Sequence, residues 1–418
     1  MIFRRFTINI LKHKFIPLSK TTLYIHIPFC TKKCSYCDFY SKKLSSNIEI
    51  KTVLDRILDD IELMLKKIGS PKIKTLFIGG GTPSSIPILL LEDFLGRLNG
   101  IIEDLSIEST IELNPETVTI DLLRVLFNNR INRISLGVQS LDDMVLNTLG
   151  RNTTREKTLY ALDIIKKHWP GLFSIDLINA VPGQTIEKAL SDISKINFFS
   201  PDHVSLYSLT FEPGTELYRL LAKGQIISIL ENTDNLMQKE SISLLKSFGF
   251  NRYEISNYSK NGMESLHNLN YWKMGSYLGA GPAAASTLLD NSGPVRIIFK
   301  PDTSLFISSA PFSVRTEFES ISKESFLLEH LMMGFRLLEG IDIKHINYVF
   351  NIDIKVFLTP LFKKWDKILL FNKESIFLTE NGLFLLNPFL IDVASLIDEQ
   401  CFGIVDKEIN WPILTAQF

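Results

Sequence analysis

The sequence predicts an α/β fold: a parallel sheet wound as strand–helix units, followed by a smaller C-terminal helical domain of winged-helix type. Three observations predict it. From Leu23 to about residue 250, six short apolar runs alternate with longer stretches of helical periodicity. Each run leads into a glycine-containing or polar segment, as strands of parallel α/β folds do on their binding face. After about residue 291 the alternation stops, and helical patterns precede a turn between two apolar runs.

Residues 1–20 contain Arg4, Arg5, Lys12, Lys14 and Lys20 and no acid. They are expected to be an N-terminal extension, with a mitochondrial transit peptide as the alternative. The core is expected over residues 21–250. Its strand candidates are Leu23–Ile27, Thr75–Ile78, Ser109–Leu113, Arg133–Leu136, Phe173–Leu177 and Val204–Leu209. Its helix candidates include Thr52–Ile68, Ile88–Leu98, Ile120–Phe127, Arg155–Lys167 and Ile186–Ile196. Residues 251–300 hold a second dense motif, RYEISNYS and then HNLNYWKMGSYLGAGPAAAS. The C-terminal domain, 301–418, has helix candidates Lys323–Glu339 and Ile354–Trp365. The runs Ile368–Phe371 and Ile376–Leu378 then flank the turn Asn372–Ser375.

Composition excludes some functions. At 418 residues the chain has room for two domains, and 45% hydrophobic with 22% charged residues is ordinary for a globular protein. A net charge of −1 gives no electrostatic reason to invoke nucleic acid. No stretch reaches the roughly 18 uncharged apolar residues of a membrane span. Four cysteines, three of them clustered, fit a reducing compartment. A cytoplasmic location is expected, and a mitochondrial one is the alternative that the basic N-terminus allows.

The clustered cysteines are Cys30, Cys34 and Cys37, in LYIHIPFCTKKCSYCDFY from Leu23 to Tyr40. An alternating run, Leu23–Ile25–Ile27, places the first thiol where a strand gives way to a loop. Three thiolates on one loop can hold three corners of an iron–sulfur cube, leaving the fourth iron open to a ligand. A structural zinc site of the three cysteines with His26 is the alternative. Gly79, Gly80 and Gly81 follow the second strand; consecutive glycines admit close approach of a ligand, and their N–H groups can bind its polar end.

The cysteine loop resembles the signature of radical S-adenosylmethionine (SAM) enzymes. Its wording, YIHIPFC and then CDFYS, resembles more narrowly the family of oxygen-independent coproporphyrinogen III oxidase and HemW. The resemblance runs over about residues 20 to 390. It implies a partial (β/α)6 barrel, a [4Fe–4S] cluster on Cys30, Cys34 and Cys37, and SAM chelated to the open iron, where an electron cleaves it to an adenosyl radical. It implies cofactor contacts at Tyr24, Tyr36, Gly80, Gly81, Thr82 and Glu112. It further implies contacts to a second SAM at Gln139, Arg151 and Asp176, where Arg151 would fork onto a carboxylate. His267, in HNLNY, matches a motif linked in this family to haem binding, and imidazole is a natural haem ligand.

Three departures qualify the match. The oxidases carry a further cysteine two residues after the third, where this chain has Phe39. Asn152 and Ala285 stand where the family often has histidine. The first departure and the short stretch before the signature point to the haem-chaperone branch, which would hold haem and pass it to acceptor proteins. That branch would draw electrons from a reductant such as flavodoxin or ferredoxin. The alternatives are oxidative decarboxylation of coproporphyrinogen III and a zinc-stabilised scaffold. No catalytic acid, base or nucleophile is assigned. Whether the chain turns over a substrate stays open.

Overall fold

The structure is a computed structural model and describes residues 13–102 and 107–400. The basic stretch with Arg4, Arg5 and Lys12 lies outside the described residues, as does Cys401. The chain opens with β1 (Lys20–Ile27). The short β2 (Phe29–Cys30) pairs in parallel with β3 (Lys42–Lys43), so the two clamp the base of the cysteine loop. Helix α1 (Asn47–Lys67) is capped by Ser46, whose hydroxyl accepts from Glu49 N–H. Its buried Ile50, Val53, Leu54, Ile57, Leu58 and Ile61 recur at helical spacing and face the sheet.

Then follow β4 (Lys72–Gly80), α2 (Ile88–Ile101), β5 (Glu108–Leu113), α3 (Ile120–Asn128), β6 (Arg133–Gln139), α4 (Asp143–Thr148), α5 (Arg155–His168), β7 (Leu172–Asn179), α6 (Ile186–Asn197) and β8 (His203–Ser208). Thr119, Thr154 and Thr185 cap α3, α5 and α6. Strands β1, β4, β5, β6, β7 and β8 pair in parallel in that order, an open (β/α)6 barrel as the alternation predicts. Their near-continuous apolar runs reflect burial on both faces.

The sheet is wider than the sequence suggests. After α7 (Glu216–Ala222) and α8 (Glu231–Ser247) come β9 (Asn251–Arg252), β10 (Asn257–Ser259), α9 (Leu266–Trp272), β11 (Tyr277–Ala280), β12 (Ala285–Asp290), β13 (Gly293–Phe299), α10 (Thr303–Ser308) and β14 (Thr316–Ser320). The twelve strands run β14-β13-β12-β11-β1-β4-β5-β6-β7-β8-β10-β9. Residues 251–300 therefore extend both edges of the barrel sheet. Glycine and alanine have weak strand preference, so the run GAGPAAAS gives little local signal; pairing with β1 supplies the structure. Gly281 has φ +105°, and a Cβ there would lie 2.3 Å from the His26 carbonyl oxygen. Of the described part of the N-terminal stretch, Phe15 and Leu18 are buried in the main core.

The C-terminal region has its own core around Phe326, Phe335, Phe350 and Phe389. It comprises α11 (Lys323–Gly334), β15 (Ile341–Asp342), α12 (Ile343–Phe350), α13 (Ile354–Phe357), α14 (Thr359–Lys364), β16 (Leu369–Phe371), β17 (Ser375–Leu378) and α15 (Leu386–Gln400), with sheet order β15-β17-β16. The hairpin and helices match the winged-helix-type expectation. Two helix expectations are corrected. Helix α11 stops at Gly334, and the segment to Glu339 turns back towards β15. The single helix Ile354–Trp365 is two, because Pro360 lacks an N–H and starts a new first turn. Among the described residues no helix is long and apolar enough to cross a membrane.

Candidate functional site

A cavity of about 420 Å³ opens at the C-terminal ends of the barrel strands, and all three clustered cysteines line it. Their loop has no regular structure of its own and is fixed from outside. Ser35 N–H donates to Leu149 O at 3.0 Å. Tyr40 OH contacts Thr303 Oγ1 at 2.9 Å and accepts from Thr303 N–H at 2.8 Å. His26 Nε2–H donates to Tyr40 O at 2.9 Å.

The three thiols are free of disulfides. Burial raises the Cys30 thiol, with the Thr82 and Ser41 hydroxyls opposing, and pushes Cys37 up to about 11. Unliganded, Cys30 and Cys37 keep their protons at neutral pH; a bound cation replaces the proton and makes the thiolate stable. That donor set fits an iron–sulfur cluster, which spreads its thiolates over separate irons. The zinc set is not brought together. Both ring nitrogens of His26 are engaged, with Tyr24 OH and Tyr40 O. Among the described residues, no three His, Cys, Asp or Glu side chains are arranged to hold one ion.

Tyr36, Gly80, Gly81, Thr82, Glu112, Gln139, Arg151 and Asp176 line the same cavity. Register explains why the carboxylates meet: Glu112 on β5 sits beside Ser135 on β6, and Gly137 on β6 beside Asp176 on β7. Ser135 OH donates to both Asp176 oxygens, at 3.2 and 3.0 Å. Burial, and then the Asp176 charge, push Glu112 up to about 8. Burial also raises Asp176 and the Tyr36 hydroxyl. Gln139 stands at φ +64°, where the β6–β7 ladder is irregular.

Two local expectations change. The glycine N–H groups are not held for a ligand: Gly80 N–H donates to Glu112 Oε2 at 3.2 Å and Gly81 N–H to Ile27 O at 2.7 Å. The glycines serve close approach to the cysteine segment, since a Cβ on Gly81 would lie 2.5 Å from Phe29 O. Nor is Arg151 a free fork. It donates to Gly137 O at 2.8 Å, Asn114 Oδ1 at 3.0 Å and Cys34 Sγ at 3.6 Å.

Tyr24 and His267 do not line the cavity. Tyr24 packs against Phe77, and its hydroxyl meets His26 Nδ1 at 3.1 Å. His267 is 1% exposed, with Nδ1 at 2.8 Å from Thr75 Oγ1 and Nε2 at 3.1 Å from Tyr271 OH. Burial pushes its imidazole down to about 3, so it is neutral, with both nitrogens engaged.

The sequence reading passed over Asn114, Ser135 and Tyr207, which also line the cavity. A polar residue inside an otherwise apolar strand was the available signal for Ser135 and Tyr207. Asn114 follows β5 in the NPE loop. A second cavity, of about 380 Å³, shares Tyr207, Ser208 and Thr210 with the first.

Comparison with known proteins agrees with this architecture. A model of the Radical SAM superfamily matches residues 24–196, and one of the HemN C-terminal domain matches residues 321–385. A Lactococcus lactis protein named "Heme chaperone HemW" is 32% identical over 383 residues, 88% of this chain and 97% of that protein. An Escherichia coli protein of the same name is 32% identical over 331 residues, 78% of this chain and 85% of that protein. In Mus musculus, "Radical S-adenosyl methionine domain-containing protein 1, mitochondrial" is 34% identical over 270 residues, 64% of this chain and 60% of that protein. Coproporphyrinogen III oxidase (HemN) from Escherichia coli shares the fold, with a TM-score of 0.73 at 18% identity, over 92% of this chain and 91% of that one. With full-length relatives at this identity and a barrel carrying its cysteine loop at the mouth, the chain belongs to the HemW family of radical SAM proteins.

Proposed function

We propose that this protein holds a [4Fe–4S] cluster on Cys30, Cys34 and Cys37, binds SAM in the adjoining cavity, and carries haem as cargo for acceptor proteins. One observation carries the reading: three free thiols, the carboxyls of Glu112 and Asp176, and the Arg151 guanidinium converge on a single cavity at the barrel mouth. The cluster, when bound, supplies an electron to SAM from a reductant such as flavodoxin or ferredoxin. The protein's own part is placement. Glu112, ionised, would accept a ligand's ammonium group, and Asp176 a second donor. Tyr36 walls the site, and Phe39, 63% exposed, stands at its rim in place of the oxidases' additional cysteine.

Haem as cargo is supported by the name its full-length relatives bear. The engaged nitrogens of His267 speak against that residue as the iron ligand. A reducing, cytoplasmic setting suits the free thiols. Anaerobic reconstitution tests the whole reading. Iron and sulfide uptake, a SAM-dependent change in the paramagnetic resonance of the reduced cluster, and a Soret band retained through desalting are expected. Cys30→Ser, Cys34→Ser or Cys37→Ser should each abolish most of the cluster absorption. Stoichiometric zinc without sulfide would overturn the cluster. Formation of protoporphyrinogen IX from coproporphyrinogen III would make the protein an oxidase.

A further inference from the structure

Two of the three clustered thiols are joined by a hydrogen-bonded chain that runs outside their own loop. Arg151 Nη1 donates to Cys34 Sγ (3.6 Å), and its Nη2 donates to Asn114 Oδ1 (3.0 Å). Asn114 Nδ2 donates to Thr82 Oγ1 (3.1 Å). Thr82 Oγ1 lies 3.4 Å from Cys30 Sγ. Thr82, Cys30 and Arg151 are all buried.

The directions of the Arg151–Asn114 and Asn114–Thr82 links are forced, and a metal on Cys30 would force that of the Thr82–Cys30 link. A guanidinium has only donors, so the Asn114 amide must turn its oxygen to Arg151. Its NH₂ then faces Thr82, whose oxygen is taken up as acceptor. The Thr82 hydroxyl proton is left to point at the sulfur of Cys30. A metal-bound thiolate carries no proton and can only accept. Swapping the two ends of the Asn114 amide would set its NH₂ against the donor-only guanidinium and break the bond to Arg151. Thr82, Asn114 and Arg151 follow β4, β5 and α4 respectively, so the chain depends on the assembled barrel. Hydrogen bonds to cluster sulfurs favour the reduced, more negative state and raise the reduction potential.

We propose that Asn114 is a positioning residue that aims the Thr82 hydroxyl at Cys30, so that one directed chain from Arg151 donates to two of the three cluster thiolates and eases cluster reduction. This rests on the cluster assignment above.

The test is a redox titration of the reconstituted full-length protein without SAM, after iron and sulfide have been counted. Thr82→Val removes the hydroxyl at nearly constant shape; Thr82→Ser keeps it. At a fixed potential the ratio of reduced to oxidised cluster should fall about fivefold in Thr82→Val and in Asn114→Leu, the size of one lost hydrogen bond. Thr82→Ser should titrate as wild type. Wild-type behaviour of Thr82→Val, or equal shifts in Thr82→Val and Thr82→Ser, would overturn the proposal while leaving the cluster assignment intact. A wild-type protein that takes up no iron and sulfide overturns both. Wild-type titration of a loaded Asn114→Leu would overturn the positioning role of Asn114, and Asn114→Ala is read in its place if Asn114→Leu does not load.

Discussion

Glu112 is an acid held uncharged by its surroundings. Its carboxyl is pushed up to about 8 by burial and by Asp176, so at neutral pH it is mostly protonated. A cationic ammonium group binds the carboxylate form alone. SAM affinity should therefore rise with pH towards pH 8, by up to about tenfold per unit, and fall again above it as the ligand's ammonium group loses its own proton. Glu112→Gln should weaken binding and flatten that slope, as calorimetric titrations across the range would read. His267 teaches the opposite lesson. Its motif was legible, yet its place was not, because Thr75 and Tyr271 saturate the ring from β4 and from its own helix. His267→Ala should cost about 1–3 kcal/mol of stability in denaturant titrations and leave the haem Soret band in place. The cysteines and the two carboxyls were readable because spacing, or a charge inside an apolar strand, announces chemistry. Asn114 was not, since its importance lies in which neighbours its two amide ends meet.

At the scale of elements, Gly81, the residue after β4, shows what the barrel asks of its loops. It brings the end of β4 against β2 at a distance no side chain allows. Gly81→Ala should force Phe29 outward, cost about 1–3 kcal/mol and reduce iron retention after reconstitution. Thermal unfolding together with metal analysis would check both effects. The six barrel strands were legible because burial on both faces writes a continuous apolar run. Strands β11 to β14 were not: their backbone is recruited by pairing with β1 and with one another, and small residues at the crossings leave no periodic trace. Pro360 did signal the break between α13 and α14, a local rule overridden in the sequence reading by the apolar pattern around it.

Across the whole molecule, two enclosed ion pairs tie distant parts together: Arg133 with Glu108, on the neighbouring strands β6 and β5, which together bind the backbone of residues 263–267, and Arg315 with Asp60 between the β14 edge and α1. Burial pushes Asp60 up to about 7, and the Arg315 charge works against that. Asp60→Ala would leave Arg315 enclosed without its carboxylate and should cost about 3–5 kcal/mol, measurable as a lowered denaturation midpoint. The winged-helix-type region, with its separate core, packs on α9 through α11.

The position of β1 in the sheet has a consequence for how the protein is made. This strand, which leads into the cysteine loop, is flanked by β4 and β11, and the loop's last anchor is Thr303. A ribosome thus releases the cysteine motif long before the partners that shape it exist. Non-local pairing of this kind forms late, after the intervening chain has been synthesised. During synthesis the three thiols are an exposed, unformed segment, open to stray metals and oxidants. The arrangement of the loop that suits a cluster is therefore expected only once the chain has been made through Thr303.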